Sequence, residues 1–330
     1  IRDVERSRGL GDVYKRQDGQ MEILVAGKDR TQYGRDKIYL LDSKGDLMLK
    51  IEVENLQDFY LADVYGDSKE EIIVSYGKVM NNIPRGGLYI FDLEGNVLSE
   101  YPKGMLKSNI VLNNIVVTDI DRDYRNEIVG NSKEGIYVFD DRYDSILWKW
   151  VSGRTIKNTV VEDIFEDTLP EIIAIGVDVV DVFSHDGLKK WNYSMPEGVL
   201  SVGTADYDIL GYREVVIASG NGSVHILDVD GEFRDKIVLD RDIQNMVIED
   251  TNKDLDDDIL LGTDNGIYIV DRLGNKTYFY RTDSGVERLI VSDIEIENDK
   301  SMYVLFLQGT TIFAIDGNAM LRHSYETGVK

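Results

Sequence analysis

The sequence predicts an all-β fold, a seven-bladed β-propeller built from four-stranded antiparallel blades. Three observations predict it. An acidic landmark recurs about every 44 residues, short strands of period-two alternation lie between Gly-containing turns, and no stretch sustains a 3.6-residue apolar period.

The landmark is Asp63, Asp119, Asp163, Asp206, Asp250 and Asp293, at intervals of 56, 44, 43, 44 and 43 residues. Eight positions after it stands a second acid that opens an apolar run: Glu71, Glu127, Glu171, Glu214 and Asp258. An earlier partial copy holds Asp18 and Glu22, and the final copy has Met302 near the second acidic place. Each unit goes on to an alternating strand ending in Asp, as in Leu88 to Asp92, Ile136 to Asp140, Val224 to Asp228 and Ile267 to Asp271. Gly-containing turns suited to hairpins follow, such as Asp186-Gly187, Asp230-Gly231 and Asp316-Gly317. A last strand often carries an aromatic, as at Trp148, Trp150, Trp191 and Tyr193. Four strands of this length cannot bury both faces alone, and their edges would template aggregation. Radial packing of such sheets, face on face, solves both problems. Seven copies predict seven blades, with the first lacking its native first strand.

Residues 1–17 stand apart as a basic stretch unlike the remainder. Back-translated, Ser7 to Gln17 matches the transposase-end adapter of sequencing libraries, and Ile1-Arg2-Asp3 fits the segment ahead of a sample index. The stretch is therefore expected to be adapter-derived and is set aside from fold reasoning. That leaves 18–330 as a single propeller domain, expected to be truncated at its start and open to truncation at its end. A signal peptide cannot then be assessed.

Composition narrows the partners. The chain has 37 Lys or Arg against 61 Asp or Glu, a formal charge of -24, and no cysteine. Such a charge repels phosphate backbones and anionic bilayers, so nucleic acid and direct membrane insertion are disfavoured. Cations, basic partners and neutral ligands are favoured. Lack of cysteine excludes disulfide scaffolds and thiolate metal sites.

The segments Thr118 to Gly130 (TDIDRDYRNEIVG) and Glu249 to Gly262 (EDTNKDLDDDILLG) resemble the calcium loops of FG-GAP and VCBS-type repeats, the propeller family that includes integrin alpha-subunit heads. The resemblance spans 18–330. It implies a propeller, loop-bound calcium and a role in adhesion or extracellular recognition. The strand-and-turn half of each unit is similar to quinoprotein-type repeats. The sequence departs from the family where its Gly after the third acidic ligand is replaced by Ser68, Tyr124, Thr168 and Leu255, and the FG and GAP tripeptides are missing.

The residues themselves also point to calcium. The ion takes six to eight hard oxygen donors, and alternate residues of a tight loop converge them. Blade 3 offers Asp119, Asp121, Asp123 and Glu127 at loop positions 1, 3, 5 and 9; blade 6 offers Asp250, Asn252, Asp254 and Asp258 at the same places. Weaker sets are Asp63, Asp67 and Glu71, with Tyr65 at position 3; Asp163, Asp167 and Glu171, with Phe165 there; and Asp206, Asp208 and Glu214, with Leu210 at position 5. The competing reading is that the first Asp only caps its turn, as in Asx-turns. Any bound Ca2+ is expected to be structural.

Enzyme constellations are scarce. His185, His225 and His323 share no spacing, and neither a GxSxG elbow, a phosphate-cradling Gly loop nor HExxH occurs. The protein is expected not to be an enzyme. Length departures cluster on the end of the blades opposite the acidic loops: Lys28 to Asp36, Gly77 to Gly87 and Lys103 to Asn114. They gather Arg30, Tyr33, Arg35, Lys78, Asn81, Arg85, Lys103 and Lys107 as an expected partner face, with plain loop variation as the alternative. The reading is a calcium-stabilised, non-catalytic binding or adhesion module for a protein or glycan, extracellular or at the cell surface. The alternatives are a fragment of a lyase-like or quinone-dependent propeller enzyme, and an intracellular scaffold with empty acidic loops.

Overall fold

The computed structural model describes residues 12–15, 21–27, 35–42, 46–81, 83–102, 110–140, 145–206, 212–251, 256–271, 274–286, 288–293, 302–308, 311–316 and 319–326. Strands are numbered along the chain. Blade 1 is β1 (Asp12–Lys15), β2 (Met21–Gly27), β3 (Asp36–Leu41) and β4 (Leu47–Val53). Blade 2 is β5 (Leu56–Ala62), β6 (Glu71–Met80), β7 (Ile83–Phe91) and β8 (Val97–Tyr101). Blade 3 is β9 (Asn114–Thr118), β10 (Glu127–Ser132), β11 (Gly135–Phe139) and β12 (Ile146–Val151). Blade 4 is β13 (Asn158–Glu162), β14 (Glu171–Ile175), β15 (Val179–Phe183) and β16 (Lys189–Ser194). Blade 5 is β17 (Ser201–Ala205), β18 (Glu214–Ala218), β19 (Ser223–Leu227) and β20 (Phe233–Val238). Blade 6 is β21 (Ile243–Glu249), β22 (Asp258–Thr263), β23 (Gly266–Val270) and β24 (Lys276–Arg281). Blade 7 is β25 (Arg288–Asp293), β26 (Met302–Gln308), β27 (Thr311–Asp316) and β28 (Leu321–Glu326).

Each blade is a separate four-stranded sheet in sequence order, with antiparallel pairing such as that of β9 with β10 and β5 with β6, as the spacing of strands and turns predicts. The place of the first strand in blade 1 is taken by Asp12–Lys15, from the leading stretch, with Asp12 opposite Leu24 and Lys15 opposite Met21. Such a ladder uses only backbone donors and acceptors, so any strand-compatible segment can fill it.

The chain divides into two compact units: 1–159 with 185–188, and 160–184 with 189–330. In each, the cores lie between neighbouring blades. In the first unit, Leu24, Ile38, Leu40 and Ile51 of blade 1 pack on Leu61, Ile72 and Val74 of blade 2. Ile73, Leu88 and Ile90 of blade 2 in turn meet Ile115, Ile128 and Phe139 of blade 3. In the second, three further clusters join blades 4 and 5, 5 and 6, and 6 and 7. Second and third strands such as β14 and β15 are buried on both faces, whereas last strands such as β12 and β16 alternate.

The Asp that ends the third strand in every blade but the fourth, where Ser184 stands, has a structural explanation. A register shift marks this strand end, for example between Ile90 and Phe91 and between Ile226 and Leu227. The carboxylate then caps the turn: Asp92 Oδ1 accepts the Asn96 N–H at 2.7 Å and Asp228 Oδ1 the Glu232 N–H at 2.9 Å. The aromatic of the last strand has a partner in the same kind of turn. In the first unit, Trp148 Nε1 donates to the His185 carbonyl at 2.9 Å, and its ring lies over Gly187. In the second, Trp191 Nε1 donates to the Val229 carbonyl at 2.7 Å over Gly231. A Cβ on Gly231 would stand 2.6 Å from the indole, and the residue holds φ at +82°, so glycine is required twice over.

Candidate functional site

The acidic loops after β5, β9 and β13 share one backbone design. Positions 4 and 6 are left-handed in all three: Gly66 and Ser68, Arg122 and Tyr124, Glu166 and Thr168. The position-6 residues are held there because their N–H groups have a fixed acceptor in the position-1 carboxylate. Ser68 donates to Asp63 at 2.7 Å, Tyr124 to Asp119 at 3.0 Å, and Thr168 to Asp163 at 2.9 Å. The turn-capping role weighed from sequence is therefore present. It leaves lone pairs on each carboxylate, so it does not compete with a cation for the whole group.

The position-9 acid works from the other side of the loop. Glu71, Glu127 and Glu171 each accept the N–H of position 2, from Val64, Ile120 and Ile164 at 3.0, 3.0 and 3.1 Å. All three side chains are buried. Burial pushes each carboxyl up to about 7, the backbone bond pulls it partly back, and neighbouring acids add to the rise. In blade 6, Asp258 plays the same part through the Thr251 hydroxyl, 2.6 Å away.

Position 3 decides which loop gathers donors. In blade 3 it is Asp121, and carboxylate oxygens of Asp119, Asp121 and Glu127 lie within 4.8 Å of one another. Among the described residues this is the one group of three acids so converged. Asp123, the fourth expected donor, is outside it; its Oδ1 accepts the Arg125 N–H at 2.8 Å. Blades 2 and 4 carry the same backbone but Tyr65 and Phe165 at position 3, and their acids do not form such a group. Asn252 and Asp254 of blade 6 and Asp208 of blade 5 lie outside the described residues, while Asp250, Asp206 and Glu214 fall at the expected loop positions. The blade 3 donors are the hard carboxyl oxygens that calcium takes, and burial first, with the neighbouring acids after it, raises the proton affinity of Glu127 among them.

The loops of blades 2 and 3 also interlock. Asn126 donates from Nδ2 to the Asp63 carbonyl, and a Cβ on Gly66 would fall 2.6 Å from the Tyr124 carbonyl. Tyr124 is thereby fixed at its backbone while its ring is 90% exposed.

At the other end of blade 2, Gly77 to Gly87 is not the loop expected from its length. The strands simply continue: Gly77 pairs with Gly86, Lys78 with Arg85, Val79 with Pro84 and Met80 with Ile83, closing through a turn at Asn81. Sequence reading missed this because Gly, Asn and Pro all signal breaks, whereas a Gly–Gly cross-strand pair and an Asn turn fit a hairpin. Lys78, Asn81 and Arg85 are exposed there. Arg35 is exposed but pairs with Glu54 at 3.3 Å. Arg30, Tyr33, Lys103 and Lys107 lie outside the described residues.

The histidines sit in ordinary packing places. His185 is in a turn, and His323 meets the Tyr303 ring edge-on. His225 Nδ1 shares a hydrogen bond of 2.9 Å with the Tyr193 hydroxyl, and the imidazole meets the Tyr193 and Phe233 rings edge-on.

Solved structures settle the architecture. The chain is similar to BBS1N in its crystal structure with ARL6DN, at a TM-score of 0.63 and 13% identity over 98% of this chain and 94% of that one. It is also similar to BamB from Moraxella catarrhalis, at 0.56 and 16% over 97% and 84%. The fold is a β-propeller. No family model and no curated protein sequence matches the chain.

Proposed function

We propose that this propeller is a non-catalytic binding module for a protein or glycan, stabilised by calcium in the blade 3 loop and of the FG-GAP or VCBS kind used in adhesion outside the cytoplasm. The observation that carries the reading is the division of labour within blades 2 and 3. One end gathers anionic donors on a repeated, hydrogen-bonded scaffold. The opposite end extends a ribbon with exposed cationic and apolar side chains. The structural likeness to BBS1N, crystallised with ARL6DN, agrees with a protein partner. When bound, calcium would be held by Asp119, Asp121 and Glu127, neutralising their mutual repulsion and fixing the loop on which Tyr124 stands.

The test combines ligand and partner. Calcium is titrated against the melting temperature, and the purified protein is screened on arrays of extracellular proteins and glycans, with hits confirmed between purified components. A saturable, calcium-dependent partner supports the reading. Turnover of a polysaccharide or an alcohol without any saturable non-substrate ligand overturns it.

A further inference from the structure

We propose that the β6–β7 hairpin of one molecule docks on the acidic loops of blades 2 and 3 of a second copy, giving a weak head-to-tail self-association. β5 accompanies β6 only to Tyr76, and β8 accompanies β7 only from Leu88, so 78–85 is a two-stranded ribbon beyond the sheet. Register places Lys78 and Arg85 side by side, and Met80 and Ile83 two residues further on the same ribbon face. Val79, Met80 and Ile83 are all about half exposed. Like charges directly opposite one another repel. Among the described residues neither the Lys78 nor the Arg85 side chain has a hydrogen bond or an ion pair, in a chain with 61 acids to 37 bases. Pro84 brings no N–H to the ribbon edge, which favours engagement through side chains over strand addition.

The complement lies on the same blades. Asp121 and Asp123 are exposed, as is Asp67 in its ion pair with Lys69 at 3.2 Å, and Tyr124 projects from its fixed backbone beside them. A rigid exposed tyrosine among carboxylates fits a tip of two cations and two aliphatic side chains, with charge pairs and a cation–π contact available. A single molecule cannot make this contact with itself. β6 alone, running from the acidic loop to the hairpin tip over ten residues, is about 30 Å long. Two unlike patches at opposite ends give a heterologous contact, which propagates instead of closing as a two-fold dimer. The patch is small, so the association is weak.

Sedimentation velocity of the whole chain in chelator, between about 10 µM and 1 mM, tests this. The sedimentation coefficient is expected to rise with concentration, and to stop rising as salt goes from ~0.1 to ~1 M and screening shortens from about 10 to 3 Å. Lys78→Glu with Arg85→Glu should weaken association at least tenfold, as should Asp121→Lys with Asp123→Lys, while Lys133→Glu should not. Mixing the two double variants should restore association that neither shows alone; melting curves confirm that each is folded, and either variant suffices if the other is not. A wild type monomeric throughout overturns the inference, as does equal weakening by Lys133→Glu. Binding to phosphatidylcholine–phosphatidylserine vesicles that is lost with Met80→Ser and Ile83→Ser would reassign the hairpin to a lipid surface and overturn it too. This inference goes beyond the binding-module reading, and its failure leaves the calcium and array tests standing.

Discussion

Replacing Glu171 by Gln should remove a defined share of the protein's pH dependence. Glu171 is 2% exposed, and burial raises its carboxyl from 4.5 to about 7 in the folded chain. A raised carboxyl means the folded state holds the proton more tightly than the unfolded one. Its contribution to stability is therefore fully present below about pH 4.5 and is lost as pH rises through about 7. Two and a half pH units at ~1.4 kcal/mol each give about 3 kcal/mol as a ceiling. Solvent screening within a loop of exposed acids brings this to about 1–2 kcal/mol. Gln keeps the acceptor for Ile164 N–H but cannot ionise. Urea unfolding from pH 5 to 8, in chelator, should show wild type losing about 1–2 kcal/mol more than Glu171→Gln across that range. The comparison of slopes is insensitive to any constant cost of placing the amide. Parallel wild-type and variant curves would refute the claim that Glu171 is buried without a compensating charge.

Calcium should stabilise the folded chain by mass action, by about 2.7 kcal/mol at a hundredfold excess over Kd, and so raise the melting temperature, and Asp121→Asn should remove most of that gain. Asp63→Asn in the otherwise similar blade 2 loop should leave the calcium response intact, as differential scanning calorimetry would show. Gly231→Ala should cost about 2–4 kcal/mol from its left-handed φ and the indole above it. Trp191→Ala should cost about 2–3 kcal/mol, and the double variant should be markedly less than additive in urea unfolding.

The blades were legible because their signals are local and repeated. Strand alternation, Asp-capped turns and the 43–44-residue interval all depend on residues close in sequence. The convergence in blade 3 was legible for the same reason, since Asp119, Asp121 and Glu127 sit on one turn and the strand it opens. What stayed hidden was set by backbone geometry or by the neighbouring blade. Asp123 has the right spacing, yet it lies outside the converged group of three, with its Oδ1 accepting the Arg125 N–H. The Gly77 to Gly87 segment has loop-like composition but satisfies a ladder. Trp148 and Trp191 were visible as last-strand aromatics, but their acceptors lie 37 and 38 residues onward. No short window contains that pairing.

Those tryptophan bonds carry a consequence for biosynthesis. Each indole meets its acceptor only after 37 or 38 further residues have been made. At roughly 5–20 residues per second of translation, the tryptophan-bearing strand waits about 2–8 s for the turn that secures it. During that interval the indole N–H lacks the carbonyl that will accept it in the finished blade pair. Substitutions that slow emergence of the turns at Gly187 or Gly231, by rare codons as much as by altered side chains, would lengthen the wait without changing the finished molecule.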